Sequence, residues 1–587
     1  MLAPTDRQLE VLCWDPHEEE REAGVPRYAA DFETTTKADD CRVWAWGVCE
    51  VGDDCNVQTG NDIEGFLRWC RHHCGSKVYF HNLKFDGKFI LSHLMNDGWE
   101  WVPDPKEAGA ETITTLISDM GMFYSIRIHF TDEESVEFLD SLKVIPLPVA
   151  KIPKAFGLSM DKLELDYHGE REPGHVLTPE EREYLLHDVR IVSQALEIML
   201  DEGMTRMTAG SNAFAGYQRG IGGKRRFRDW FPEPSYDALL REGGCYKGGF
   251  TAVNPRFRGV EVGEGVSFDV NSLYPSVMAC VHGEVLPWGE PERFDGRFEP
   301  TDEFPVCIQV LKADFSVKEG RIPSLQMKGN SLFSETEYVR DSAGMQPLCL
   351  TSVDLELMFE QYDVHEVEWL GGWRFNGSSE LFTAYVDEWT EVKTRATEEG
   401  NEGMRTIAKL MLNSLYGKFA TNPVKQSKRP YLEDGVVKYA LLPKECKEAV
   451  YLPVGAFVTA YARAFTVRAA QRNFHRWLYS DTDSNYFLGT EPPDGMEVHP
   501  TKLGAWKEEH RFSRFKALRA KTYVFEEAGD VTVHCAGMPS RCHASVTFDN
   551  FDYGSSFEGK LMPKDVKGGT ILVEDRFTIK PDKEVRK

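Results

Sequence analysis

Short apolar runs that end in acids mark the first third of the chain. Tyr28-Ala-Ala-Asp-Phe-Glu33 and Val78-Tyr-Phe80 have the length of buried strands, and the second runs into His81-Asn-Leu-Lys-Phe-Asp86 and a predicted helix to Leu94. Carboxylates at such strand ends can face a common cleft. Thr178-Pro-Glu-Glu181 predicts a helix start, with Thr178 as N-cap, Pro179 at the first helical position and Glu181 closing a capping box. That helix places Tyr184 and Asp188 four residues apart, on one face. A second helix, predicted from about Arg405 through Lys418, presents Lys409, Asn413, Tyr416 and Gly417 in one stripe, where a buried helix would carry Leu or Ala. Leu478 to Phe487 predicts a hairpin with Asp481-Thr-Asp483 at its tip, and residues two apart on a strand point the same way.

At 587 residues the chain exceeds what one hydrophobic core serves, so several domains are expected. No internal repeat or low-complexity tract organises it. No run of eighteen or more apolar residues suggests a membrane span, and the acidic stretch Met1 to Gly24 lacks the basic and apolar regions of an export signal. A soluble protein without a membrane partner is expected. Thirteen scattered cysteines without a C-x-x-C pair fit reduced thiols in a cytosol. Cys70-Arg-His-His-Cys74 lacks a second ligand pair at zinc-finger spacing and fits a helix with buried cysteines.

With 94 acidic and 68 basic residues the net charge is −26, whereas a nucleic-acid surface needs Lys and Arg against phosphate. A local positive channel is the relevant quantity. Lys224 to Arg228, Lys425 to Arg429 and Arg511 through Lys521 are its candidate contributors, although each run alone is more often a solvated face. The excess acid predicts a negative outer shell and a sharp salt dependence of binding.

Two sets of carboxylates carry the chemistry. Asp269, in Asp269-Val-Asn-Ser-Leu-Tyr-Pro275, joins Asp481 and Asp483 of Tyr479-Ser-Asp-Thr-Asp-Ser484; Asp31, Glu33, Asp86 and Asp188 form the other set. Phosphoryl transfer to a 3′ hydroxyl needs a deprotonated nucleophile and a neutralised leaving group, which two Mg²⁺ ions about 4 Å apart supply. Carboxylates are the hard ligands such ions prefer. Asp269 and Asp483 are expected to bridge the ions, with Asp481 secondary. Lys409 can balance triphosphate charge, Tyr416 can stack on an incoming base, and Tyr274 can lie under the sugar where a 2′ hydroxyl would collide with it. In the second set water replaces the 3′ hydroxyl, and Tyr184 beside Asp188 can orient it. A lone D-x-D is a common turn, so the weight rests on the motifs occurring together.

These residues resemble the family B DNA polymerases, specifically their protein-primed, phi-29 phage type branch, from about Arg27 to Lys580. Asp31-Phe-Glu-Thr-Thr35, His81-Asn82 through Asp86, and Tyr184-x-x-x-Asp188 are similar to its three exonuclease motifs; Asp269 to Pro275, Lys409 to Gly417 and Tyr479 to Ser484 to polymerase motifs A, B and C. The resemblance adds Lys162 and Tyr167 on the nuclease side, and Thr34, His81, Asn82, Phe85, Ser141 and Leu142 as contacts to a frayed primer end. It adds Val270 as a metal and nucleotide contact and Lys393 as a triphosphate contact, with the loop from Arg395 to Met404 longer than usual. Ser272, Asn413 and Gly417 join the DNA contacts, as do Lys521 and Tyr523 of the Lys521-Thr-Tyr523 element gripping the primer. Tyr246, Gly248 and Gly249 resemble a linker balancing the two activities, its glycines letting backbone approach DNA.

The implied fold is a multidomain α/β protein, an RNase H-like 3′-5′ exonuclease joined to a right-hand polymerase. Its expected divisions are 1-208 for an N-terminal extension and the exonuclease, 209-280 and 454-535 for the palm, 380-420 for the fingers and 536-587 for the thumb and tail. The intervals 281-379 and 421-453 resemble the branch's two insertions, which dock a terminal protein and encircle template and product; on length alone they could be ordinary surface insertions. The implied function is template-directed DNA synthesis with proofreading, protein priming and strand displacement, replicating a linear viral or plasmid genome. Implied cofactors are two Mg²⁺ per site, Mn²⁺ substituting. Implied partners are template-primer DNA, dNTPs, a terminal protein and single-stranded DNA-binding protein, for a monomer in the cytoplasm of a bacterial host. A nuclease whose C-terminal part only binds DNA, a non-catalytic scaffold, and synthesis from ordinary primers remain alternatives, though no metal ligand is missing.

Overall fold

In the computed structural model the residues described are 24–37, 40–163, 171–328, 330–334 and 336–581. The acidic N-terminal extension up to residue 23, and Tyr167, lie outside them. No helix among the described residues is long and apolar enough to cross a membrane.

The first acid-ended run becomes the strand Arg27–Thr34, central in an eight-stranded sheet. It pairs antiparallel with Val43–Glu50 and parallel with Lys77–Phe80, which in turn runs parallel to Ser135–Asp140. Helix Leu83–Asn96 follows Lys77–Phe80 directly, starting from Asn82 in the left-handed conformation at φ 89. Helix Pro179–Asp201 packs against Arg27–Thr34 and Val43–Glu50. It opens as the sequence predicts: the Thr178 hydroxyl accepts from the Glu181 N–H at 3.2 Å, and the Glu181 carboxylate accepts from the Thr178 N–H at 3.0 Å.

A second sheet of five strands is built from distant segments in the order Trp506–Phe512, Gly265–Val270, Ser484–Leu488, Trp477–Asp481 and Thr251–Val253. The long helix Leu452–Arg472, buried along most of its length, packs against it. Residues 286–378 carry a four-stranded antiparallel sheet of their own, ordered Leu286–Phe294, Tyr362–Ser378, Val306–Val317 and Gln346–Thr351. A hairpin, Lys428–Glu433 with Val436–Leu441, precedes the long helix, and another, Ser556–Val566 with Gly569–Thr578, lies near the C-terminal end.

Two local expectations need correcting. The helix expected from Arg405 through Lys418 begins earlier, at Glu402, capped by the Asn401 side chain, and breaks at Leu415 into Glu402–Ser414 and Tyr416–Phe419. The loop expected from Arg395 to Met404 is short: helix Thr383–Glu399 runs on to Gly400, whose φ of +70 reverses the chain directly into the next helix.

Candidate active sites

In the five-stranded sheet Asp269 lies opposite Ser484 on one side and Lys507 on the other. The Val270 N–H donates to the Asp483 carbonyl at 2.9 Å, which brings the Asp269 and Asp483 carboxylates together. Burial raises the Asp269 pKa to about 8, with Asp483 and Glu509 adding to the effect and Lys507 and Lys409 opposing it. Asp483 is raised in the same direction, first by burial.

Asp481 and Asp483 do not share a side by strand alternation as expected. Strand Trp477–Asp481 ends at Asp481, and Thr482 turns left-handed at φ 62 before Ser484 resumes pairing. The Asp481 carboxylate is held by an ion pair to Lys521 and accepts from the Tyr479 hydroxyl at 3.2 Å. The Tyr479 oxygen in turn accepts from the Lys521 N–H at 2.8 Å, so Lys521 is tied to this turn through both its backbone and its side chain.

The rings of Tyr274 and Tyr416 stack at 4.2 Å, beside the acids. Lys409, Asn413 and Gly417 form an exposed stripe despite the break at Leu415. Lys393, on helix Thr383–Glu399, is lowered by burial and then by the neighbouring charges of Lys409, Arg405 and Lys507. Four cations thus gather beside two carboxylates. Arg405 and Lys507 carried no sequence motif; the only available signals were the four-residue spacing of Arg405 from Lys409 and a ladder pairing that cannot be read before folding.

The basic runs expected to form a channel are in part engaged by the protein itself. Arg511 pairs with Glu508, Arg514 with Glu261 and Lys516 with Asp552, and Arg228 donates to the carbonyls of Ala449 and Val450. Tyr523 is buried, sharing a 3.1 Å hydroxyl contact with Tyr486 and stacking on His534. Val270 is also buried, so only its backbone is available to a ligand. Ser272 stands left-handed at φ 54 where helix Leu273–Met278 begins. Of the linker glycines, Gly248 faces open space, whereas a Cβ on Gly249 would meet Thr482 Cγ2 at 2.6 Å and Tyr274 Oη at 2.8 Å. Arg463, on the long helix, fixes this segment from below: its guanidinium donates to the carbonyls of Lys247 and Gly248 at 2.7 Å and pairs with buried Asp354. Tyr246 is partly buried beside Tyr416.

The other acids gather at the eight-stranded sheet. Asp31 is pushed up to about 7 by burial and the Asp188 charge, against Lys162. Glu33 and Asp86 are raised by burial and by Asp31, and Asp188 by burial. Lys162 is ion-paired to Asp188 and reaches the Tyr184 hydroxyl at 3.3 Å. Among the described residues Asp188 Oδ1 has no hydrogen-bond partner, and no three His, Cys, Asp or Glu side chains already close on one point.

Asp140, absent from the motifs, organises the neighbouring cleft by accepting from the Asn82 N–H at 3.0 Å and the Leu142 N–H at 3.1 Å. Asn82 is exposed, Thr34 and Phe85 half-buried, and Phe85 packs on Phe89. His81 contacts Ser141 Oγ at 3.0 Å and the Leu147 carbonyl at 2.7 Å. Both its ring nitrogens are therefore engaged by the protein.

A family model described as DNA polymerase type B, organellar and viral, matches residues 70–172 and 167–498. The DNA polymerase of Bacillus phage Nf is 43% identical over 582 residues, covering 94% of this chain and 99% of the relative. That of Bacillus phage phi29 is 42% identical over 584 residues, covering 95% and 100%. The solved structure of the phi29 DNA polymerase complexed with primer-template DNA and incoming nucleotide superposes with a TM-score of 0.88 at 41% identity, over 95% of this chain and all of that one.

Proposed function

Because the chain belongs to the type B DNA polymerases, and among them to the phi29 type, it is a template-directed DNA polymerase, and we propose that it also proofreads 3′-to-5′ at a second site, starts chains on a protein hydroxyl and displaces the strand ahead of it. The observation that carries the two-site reading is the gathering of acids at two different sheets, each cluster with carboxylates raised by burial and by one another.

Oxygen-only donors of this kind, with Asp188 Oδ1 lacking a partner among the described residues, fit hard divalent ions, Mg²⁺ or Mn²⁺. Asp269, Asp483 and the Val270 carbonyl would hold them for synthesis, and Asp31, Glu33, Asp86 and Asp188 for primer degradation. When bound, such ions lower the pKa of the attacking oxygen and neutralise the leaving phosphate.

The protein's own groups do the rest. Lys393, Lys409, Arg405 and Lys507 bind the triphosphate, and the Tyr274–Tyr416 stack positions base and sugar. Lys521, held against Asp481, grips the primer terminus. At the second site Tyr184 and Lys162 orient water beside Asp188, while Asn82, Leu142 and Phe85 receive the frayed strand. The intervals 281-379 and 421-453, which carry the four-stranded sheet and the hairpin, serve terminal-protein docking and DNA enclosure, in the cytoplasm of a bacterial host.

The priming reading is tested by incubating the enzyme, a candidate terminal protein from the same genome, labelled dATP and Mg²⁺. A labelled protein–nucleotide adduct is expected; extension of ordinary primers with no adduct would end that part of the reading.

A further inference from the structure

Immediately before the Tyr246–Gly249 segment, Cys245 is fully buried, and its thiol and that of Cys349 on strand Gln346–Thr351 each shift the other's pKa. The backbones approach closely here. A Cβ on Gly243 would lie 2.9 Å from Cys349 Cβ and 3.4 Å from its Sγ. The Cys245 N–H donates to the Leu240 carbonyl at 3.0 Å, which fixes the turn. Lys247, only 3% exposed, reaches the Cys349 carbonyl with its ammonium at 3.5 Å. Cys349 also forms part of the wall of a cavity of about 510 Å³, together with Gly243, Gly244, Lys247, Met327 and Trp373. Cys245, fully buried, does not line it. Neither thiol belongs to the acid clusters.

We propose that Cys245 and Cys349 are a reversible dithiol–disulfide site, oxidised from the cavity by a small organic disulfide, whose closure fastens the segment leading into Tyr246–Gly249 to strand Gln346–Thr351. Two neighbouring buried thiols are often mere packing; what distinguishes this pair is a cavity walled in part by one of the two residues and a cation beside it. The hydrogen bond from Cys245 lowers the Cys349 pKa, against burial and with help from Lys247, whereas the same bond and burial raise Cys245. Cys349 is therefore the attacking thiol and Cys245 the resolving one.

In the first step the Cys349 thiolate attacks one sulfur of the reagent, whose S–S bond breaks. The released thiolate takes up the proton that Cys349 gave. Cys245 then loses its proton, attacks the Cys349 sulfur and expels the second reagent thiol. The protein thiols lose two electrons and two protons, and the reagent disulfide gains both as two thiols.

The test treats the full chain with oxidised glutathione, blocks the remaining thiols and maps tryptic peptides without reduction. Peptide 242–247 joined to peptide 341–374, lighter by two hydrogens than their sum, is expected, and dithiothreitol separates them. The linked species is lost in Cys245→Ser and in Cys349→Ser but kept in Cys307→Ser, which removes the competing buried thiol on strand Val306–Val317. Amide hydrogen exchange of residues 243–249 slows on linkage and recovers on reduction. Recovery of both thiols unmodified, of glutathionylated Cys349 alone, or of a Cys307–Cys349 link would overturn the site. Linkage with unchanged exchange would overturn the fastening.

Discussion

The Val270 N–H donates to the Asp483 carbonyl at 2.9 Å, and this contact joins two motifs far apart in the sequence into one acidic cluster. Lys162, by contrast, is ion-paired to Asp188 on helix Pro179–Asp201, which packs against the other sheet. The two clusters share no carboxylate.

Separate clusters require separable losses. Asp269→Ala or Asp483→Ala is expected to lower primer extension by more than about 100-fold, beyond what losing a supporting contact around a metal typically costs. Primer degradation should stay within about twofold in the same variants. Asp31→Ala and Asp188→Ala should show the reverse. Parallel gel assays with and without dNTPs read both activities, and joint loss in either set would contradict two sites.

Gly249 has no room for a side chain. Its added Cβ would press on Thr482 and on the Tyr274 hydroxyl, and the Thr482 N–H already donates to the Phe250 carbonyl at 2.7 Å. Gly249→Ala should therefore displace the turn bearing Asp483 and reduce extension more than Gly248→Ala, whose added Cβ meets no protein atom. Equal effects at the two positions would argue against this packing.

Stability near the nuclease helix should depend on acid pH. Burial alone would raise Glu181, but the Thr178 N–H, Arg171 and His175 outweigh it and hold its pKa at about 2, below the ordinary 4.5. A carboxylate depressed on folding stabilises the protein above its unfolded pKa, and that contribution fades as pH falls from about 4.5 to about 2. Glu181→Gln, which keeps the cap but not the charge, should cost about 2 kcal/mol at pH 7, less than the full pKa displacement implies because solvent screens the charged partners. The gap between variant and wild-type unfolding midpoints should close across that acid window, and a gap independent of pH would refute the assignment.

The acids, the capping box and the Asp481–Asp483 hairpin were legible in the sequence because each is a local pattern: a strand end, a helix start, a turn. What folding added was pairing. Lys507 meets Asp269 only through the ladder between Gly265–Val270 and Trp506–Phe512, and no neighbouring residue announces it. Asp140 caps the turn at Leu142 by a local two-residue pattern, but its contact with the Asn82 amide, 58 residues away, is one that no spacing rule encodes. The cationic run from Arg511 is less free than it looks in the sequence for the complementary reason, since acids from elsewhere, Glu261 and Asp552, pair with Arg514 and Lys516 once the chain is folded. Strand alternation failed at Asp483 because Thr482 leaves the extended conformation.

The same pairing assigns Lys507 a role in nucleotide binding that can be separated from the metal ligands. Lys507 lies across the ladder from Asp269 and within the electrostatic reach of Lys393, so it can act on both the acid and the triphosphate. Hydrogen bonds to charged groups contribute about 1.5–3 kcal/mol, so Lys507→Ala and Lys393→Ala should each raise the KM for dNTP by roughly 10-fold to 100-fold. Primer degradation, served by the other sheet, should not change. Because the lost interaction is ionic, wild-type KM should rise with salt more steeply than that of either variant. Single-nucleotide extension measured across dNTP concentration and ionic strength tests both statements. A fall in kcat with KM unchanged would instead place Lys507 with the metal-holding acids and remove it from the triphosphate site.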